Sequence, residues 1–120
     1  RIPINLVLAQ AIHESDWGRS RFATKGNNLF GIKALEGEDF IRSRSGKKLR
    51  QYYTWCESVD DYMDLLAHGK PYKEFQEQLF RQYAVDNVNI YELIEHLDEY
   101  AEDNKYKEKI KKLVKQMENL

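Results

Sequence analysis

The sequence predicts an α+β fold that is mostly helical, and three observations carry that expectation. Apolar residues recur at helical spacing near both ends of the chain. A β-favouring stretch between residues 36 and 55 is split by a polar turn. No linker, internal repeat or low-complexity tract interrupts the order helix, loop, small hairpin, helices. At 120 residues and 42% hydrophobic content, the chain suits one core and a single domain over residues 1–120.

The first helix is announced by Pro3, whose missing N–H costs nothing in a first turn. Ile4, Val7, Leu8, Ala11 and Ile12 follow at helical spacing, and define an expected buried stripe. Ser20 to Lys25 suits one or two further turns, with Gly26 as the stop. Asn27-Asn28-Leu29-Phe30-Gly31 then reads as an ordered loop with two large apolar residues to bury.

The hairpin is expected from Phe40-Ile41 and Leu49 to Trp55, either side of a Ser43-Arg44-Ser45-Gly46 turn. Ser58-Val59-Asp60-Asp61 resembles a capping box opening a helix that runs to His68, where Gly69 and Pro71 end it. Further helices are expected over Tyr72 to Gln82, from Asn89 to about Tyr100, and from Lys105 to Met117. In the last, Ile110, Leu113, Val114 and Met117 share a face.

Charge excludes some functions. Nineteen basic residues nearly balance twenty acidic ones, leaving a formal net charge of -1 and no sequence-wide field for nucleic acid. The basic stretch from Lys105 to Lys115 is interrupted by acids and reads as a solvated helix face. Cys56 is the single cysteine, so no disulfide forms within the chain, and it is read as buried packing. No run of about 18 apolar residues offers a membrane span. The opening Arg1-Ile2-Pro3 lacks an initiator Met and reads as part of a longer product. His13, His68 and His96 lack metal-ligand spacing, and neither a phosphate loop nor a Gly-x-Ser-x-Gly elbow occurs, so no metal and no cofactor are expected.

Glu14 is the leading candidate for chemistry. It follows Val7 by seven residues and so falls on nearly the same bearing, at the edge of the apolar stripe, with His13 pointing roughly opposite the core. A carboxyl at such a margin is partly desolvated, which raises its pKa toward that of a general acid. Spacing alone favours a half-exposed Glu at a helix end, bonded to a neighbour. Ser15-Asp16-Trp17-Gly18 sets an indole beside it. That ring is either core or a platform for a sugar. On the second hairpin strand, Tyr53 and Trp55 would point together and Tyr52 away. With the amides of Asn27 and Asn28, this inventory suits a neutral ligand rich in hydroxyl and acetamido groups.

The string Leu8-Ala9-Gln10-Ala11-Ile12-His13-Glu14-Ser15-Asp16-Trp17-Gly18-Arg19-Ser20-Arg21-Phe22-Ala23, followed by Gly26-Asn27-Asn28-Leu29-Phe30-Gly31-Ile32-Lys33, closely resembles the bacterial glucosaminidases. These are glycoside hydrolase family 73, endo-β-N-acetylglucosaminidase-like cell-wall hydrolases that include Bax-like proteins. The resemblance is close over residues 2–33 and weaker at Ser58 to Leu66 and at Tyr100-Ala101. It implies a lysozyme-like fold with a cleft between a helical lobe and a small β-lobe. It also implies cleavage of the peptidoglycan glycan strand after N-acetylglucosamine, by an extracytoplasmic protein expected to be a monomer. Glu14 matches the family's catalytic acid, and Tyr100 a tyrosine near it. Trp17, Asn27, Asn28, Phe30 and Tyr53 are the expected substrate-binding residues. Asp16 stands where glycine is commoner.

One departure concerns mechanism. Many members carry a second glutamate on the hairpin, but the matching stretch, Ile41 to Ser43, holds Arg42 and no acid. Among the nearest acids, Glu36, Glu38 and Asp39, Glu38 is the candidate second carboxylate. It would have to stand roughly 6.5–9.5 Å from the acid for inversion, or roughly 5–5.5 Å for retention. Without it, the substrate's own 2-acetamido group attacks the anomeric carbon. Lytic transglycosylase or muramidase-type cleavage and a non-catalytic glycan-binding module are the alternatives. A purely helical interaction protein would leave Trp17 and the Asn27-Asn28 pair without a purpose.

Overall fold

The computed structural model describes residues 1–120. Six α-helices and one hairpin follow in the order α1 (Ile4–Ser15), α2 (Arg21–Thr24), β1 (Phe40–Arg42), β2 (Lys48–Arg50), α3 (Trp55–His68), α4 (Lys73–Ala84), α5 (Ile90–Ile94) and α6 (Tyr106–Glu118). A single 3-10 turn, Lys70–Tyr72, precedes α4. The expected fold class is the observed one. The chain forms two compact units, residues 10–62 and residues 1–9 with 63–120.

The 10–62 unit holds the hairpin and both motifs around Glu14. Strands β1 and β2 are antiparallel, with Phe40 opposite Arg50, Ile41 opposite Leu49 and Arg42 opposite Lys48. On its other edge β2 meets the motif loop: Ala34 N–H donates to the Lys48 carbonyl at 3.0 Å and Arg50 N–H to that of Ile32 at 2.9 Å. The second strand ends at Arg50, short of the expected Trp55, because the chain changes partners. Tyr52 N–H donates to the Gly26 carbonyl at 2.8 Å. Helix α3 then starts four residues earlier than a Ser58 cap would have it, through a Thr54 to Glu57 capping box that was not read from the sequence. Glu57 N–H donates to Thr54 Oγ1 at 3.2 Å, and Thr54 N–H to Glu57 Oε1 at 3.1 Å. Ser58 is instead buried inside the helix, its hydroxyl donating to the Trp55 carbonyl at 2.8 Å.

The earlier start also corrects Cys56, which lies in the first turn of α3 and is exposed rather than buried packing. Trp55 is a helix residue, so the strand alternation expected of Tyr53 and Trp55 does not apply.

Gly26 follows the C-cap of α2, which is Lys25. A β-carbon on Gly26 would stand 2.8 Å from Ile41, so its lack of a side chain lets β1 approach the end of α2. Phe30 stacks on Tyr62 with ring centroids 3.9 Å apart, the aromatic centre of this unit.

In the other unit, Leu66, Phe75, Leu93, Ile94, Ile110 and Val114 are fully buried. The side chain of Asn89 accepts from Tyr91 N–H at 3.0 Å and Glu92 N–H at 3.3 Å, capping α5 as its sequence suggests. This helix stops at Ile94, short of Tyr100. Beyond it the chain tightens into successive i→i+3 turns, from His96 N–H to Leu93 and from Leu97 N–H to Ile94, which bury Leu97.

Candidate active site

Helix α1 carries the first motif, and its buried face is not the expected one. Ile4 is 67% exposed and Leu8 44%, whereas Leu6, Val7, Ala9 and Gln10 are buried. At about 100° per residue, the buried bearing runs through Leu6, Gln10 and His13, so His13 lies toward that face rather than opposite it. Glu14 keeps its expected place at the margin, beside the line of Val7 and Gln10. Counting apolar letters misplaced the stripe because Gln10, fully buried and joined to the Tyr62 hydroxyl, is a core residue in polar form.

Burial pushes the Glu14 carboxyl up to about 7, and Lys47 on the hairpin turn pulls it partly back down. The motif loop covers the carboxyl through Gly31, which has φ +67°. A β-carbon there would stand 3.7 Å from Glu14 Oε2 and 3.9 Å from Cδ. Two motifs separate in sequence thus meet at one carboxyl group. Neither Gly31 nor Lys47 was picked out from sequence. A glycine closing a loop with large apolar residues is a signal for positive φ, but Lys47 becomes visible only once the hairpin register is known.

Beyond Glu14 the chain turns sharply. Asp16, Trp17 and Gly18 have φ of 52°, 59° and 77°. Ser15 holds the turn: its hydroxyl donates to the Ala11 carbonyl at 2.5 Å and accepts from Gly18 N–H at 2.8 Å. Trp55 packs its ring against Gly18 and donates Nε1–H to the Ala23 carbonyl at 2.9 Å. Trp17 is left 62% exposed, and Tyr53 is 88% exposed.

The remaining expected site residues divide. Asn28 is fully buried, its amide donating to the carbonyls of Ile32 and Arg50 at 2.9 Å each. Its Oδ1 accepts from Phe30 N–H and Ile32 N–H, both at 3.2 Å. With every donor and acceptor engaged, Asn28 has nothing to offer a ligand and serves as the loop's internal scaffold. Phe30 is likewise buried against Tyr62, so both substrate-binding expectations are corrected. Asn27 spends its amide donors on the Tyr52 and Tyr53 carbonyls at 3.1 and 2.9 Å, which positions Tyr53. Tyr100 belongs to the other unit, where it stacks on Tyr106 at 5.7 Å and tilts against Tyr72 at 6.0 Å.

Glu38 is held at the base of the hairpin. Its Oε1 accepts from Leu35 N–H at 2.7 Å and its Oε2 pairs with Arg50 at 3.0 Å. Arg50 also reaches Asp61 at 3.2 Å, and Asp61 accepts from the Tyr52 hydroxyl, which burial first and then the Asp61 carboxylate hold well above the usual phenol range. Glu38 is therefore one partner in a structural network, already neutralised by a guanidinium. No three His, Cys, Asp or Glu side chains converge to hold a metal ion.

A groove of about 620 Å³ lies between the Asp16 to Phe22 stretch and the hairpin turn, lined by Arg19, Arg21, Arg42 and Arg44 among others.

A model of the glucosaminidase family, described as mannosyl-glycoprotein endo-beta-N-acetylglucosaminidase, matches residues 1–119. The chain belongs to this family. It is a domain of the glucosaminidase type, and individual relatives match it over part of their length. The exo-glucosaminidase LytG of Bacillus subtilis is 41% identical over 76 residues, covering 54% of this chain and 27% of that protein. An N-acetylmuramoyl-L-alanine amidase domain-containing protein of Staphylococcus aureus is 34% identical over 145 residues, covering 89% of this chain and 23% of that protein. The chain thus spans about a quarter of the length of these relatives. Among solved structures, the catalytic domain of the autolysin Auto from Listeria monocytogenes superposes with a TM-score of 0.69 at 27% identity, over 93% of this chain and 70% of that one. The lysozyme-like α+β fold expected from the resemblance is the fold observed.

Proposed function

We propose that this glucosaminidase domain hydrolyses the glycan strand of peptidoglycan after N-acetylglucosamine, with Glu14 as the general acid. The observation that carries the reading is the place of Glu14: its carboxyl lies under Gly31 at the margin of α1, and desolvation raises it to about 7, so that about half of the molecules carry the proton at pH 7. A carboxylic acid with that proton can deliver it to a glycosidic oxygen as the bond breaks. The exposed rings of Trp17 and Tyr53 offer apolar faces on which pyranose rings stack.

The second half of the reaction is assigned to the substrate. No acid stands on β1, and Glu38 is engaged by Leu35 and Arg50. In this reading the 2-acetamido oxygen of the sugar attacks the anomeric carbon as Glu14 protonates the leaving oxygen. The resulting oxazolinium ion is then opened by water, and Glu14, now a carboxylate, takes up that water's proton. Tyr100 is carried over from the family resemblance as a further candidate for the reaction. The reading places the domain outside the cytoplasm, at the cell wall.

The test is digestion of purified peptidoglycan, followed by borohydride reduction and mass spectrometry. Wild type should release reducible N-acetylglucosamine ends, and Glu14→Gln should release none while keeping its circular dichroism spectrum. Reducible N-acetylmuramic acid ends would point to a muramidase and unreduced anhydro ends to a transglycosylase. Binding without any release would make the domain a glycan-binding module. Full activity in Glu14→Gln removes Glu14 from the reaction.

A further inference from the structure

The groove beside the hairpin turn has a composition that a neutral sugar does not call for. Its lining brings together Arg19, Arg21, Arg42 and Arg44 against one carboxylate, Asp16, in a chain whose overall charge is nearly balanced. Phe22 supplies an apolar surface, and Ser20, Ser43 and Ser45 supply hydroxyls.

Three of the four guanidiniums also make bonds within the chain. Arg19 pairs with Asp16 at 3.1 Å. Arg21 donates to the Arg42 carbonyl, tying α2 to β1. Arg42 donates to the Gly46 carbonyl at 3.1 Å, closing the turn. Each of these bonds uses only part of a five-donor fork. Arg44 stands exposed at the tip of the same turn. A set of planar, permanently charged forks on a roomy surface suits a carboxylate, which each fork can grip through two parallel hydrogen bonds.

The groove is also tied to the reacting centre. Ser43, Arg44 and Ser45 line it from the turn that carries Lys47, whose charge acts on the Glu14 carboxyl. Asp16 and Arg19 line it from the turn that directly follows Glu14. A glycan strand seated at Glu14 therefore runs near this groove, and in peptidoglycan that strand carries peptide stems bearing free carboxylates.

We propose that the arginine-lined groove between the Asp16 to Phe22 stretch and the hairpin turn binds a carboxylate of the peptide stem, so that the domain prefers peptide-bearing strands. This inference rests on the peptidoglycan reading of the same site. Phosphate-rich wall polymers, which guanidinium forks also grip, are the competing occupant.

The experiment compares three substrates: peptide-bearing strands, strands stripped of peptides, and peptide-bearing strands whose stem carboxylates are converted to amides. Hydrolysis (kcat/KM) and equilibrium binding are measured on each. Wild type should prefer the first over the other two. Arg44→Glu and, separately, Arg19→Gln should each lower that preference roughly tenfold, the size expected of one charge-assisted hydrogen bond. Equal handling of acid and amide stems by wild type overturns the proposal whatever the variants do. Tighter binding of poly(glycerol phosphate) than of peptide-bearing strands, with no response to amidation, assigns the groove to phosphate polymers instead. If no strand is cleaved but acid stems still bind best, the hydrolase reading fails and the groove assignment stands.

Discussion

Gly31 lies over the carboxyl group of Glu14, close enough that a β-carbon would stand 3.7 Å from Oε2, and it does so with φ +67°. Both facts weigh on any substitution. Alanine fits the space at ordinary contact distance but not the backbone, so Gly31→Ala should cost about 1–2 kcal/mol in denaturant unfolding. Gly31→Val should cost more and also cover the carboxyl. The ratio of activity lost to stability lost should therefore be larger for valine than for alanine.

Glu14 should make the domain less stable as it becomes charged. Its folded pKa of about 7 lies above the ordinary 4.5, so between those values the folded state holds more protons than the unfolded one. Stability conferred by Glu14 is then complete below about 4.5 and falls as pH rises toward 7. Above that range the penalty reaches at most about 3 kcal/mol. Glu14→Gln removes the titration. It should raise the unfolding free energy relative to wild type at pH 8 and make little difference at pH 4.

Activity should follow the same group with its own sign. A general acid works protonated, so kcat/KM should decline as pH rises through about 7. Lys47 lowers this pKa, and Lys47→Met should therefore move the alkaline limb to higher pH. A limb that stays in place would detach Lys47 from Glu14.

Asn28 should be among the most sensitive positions of the fold. The side chain is fully buried and its four hydrogen bonds are buried or partly buried, so Asn28→Ala strands several backbone groups at once, for an expected loss of about 3 kcal/mol. Asn27→Ala frees the Tyr52 and Tyr53 carbonyls at a half-buried site and leaves alanine at φ +54°, and should cost about 2 kcal/mol. Thermal unfolding of the two variants side by side checks the order.

Glu38→Gln keeps the shape of the side chain and removes its charge. With Glu38 bound to Leu35 N–H and Arg50, activity should stay within about threefold of wild type, and the unfolding free energy should drop by about 1 kcal/mol. A loss of a hundredfold or more in kcat would restore Glu38 as the second carboxylate.

Much of the architecture was legible in the sequence because the signals were local. Asn89 capping α5, Gly69 and Pro71 ending α3, and the Ser43 to Gly46 turn are each written in a few adjacent letters. What escaped depended on partners far along the chain. The buried face of α1 was misread because Gln10 is buried through Tyr62, fifty-two residues away. The second strand was overextended because Tyr52 bonds to Gly26 instead of β1. Thr54-Trp55-Cys56-Glu57 was the local signal passed over, hidden by aromatic letters that favour a strand. In the candidate site, the place of Glu14 at the margin of the buried face of α1 was legible from helical spacing, whereas the exposure of Trp17 was not. The roles of Asn28, Phe30 and Glu38 depended on bonds that no spacing rule reveals.

The three left-handed residues after Glu14 have a last consequence. Asp16 and Trp17 each sit where an L side chain is disfavoured by about 1 kcal/mol or more, and Ser15 and Trp55 keep them there. That cost is met when the chain folds, not when a sugar arrives. The turn carrying the indole is thus preorganised, and under the proposed function a glycan stacking on Trp17 would lose its own freedom without also having to order this backbone. A more relaxed turn would give a more stable domain and a weaker grip.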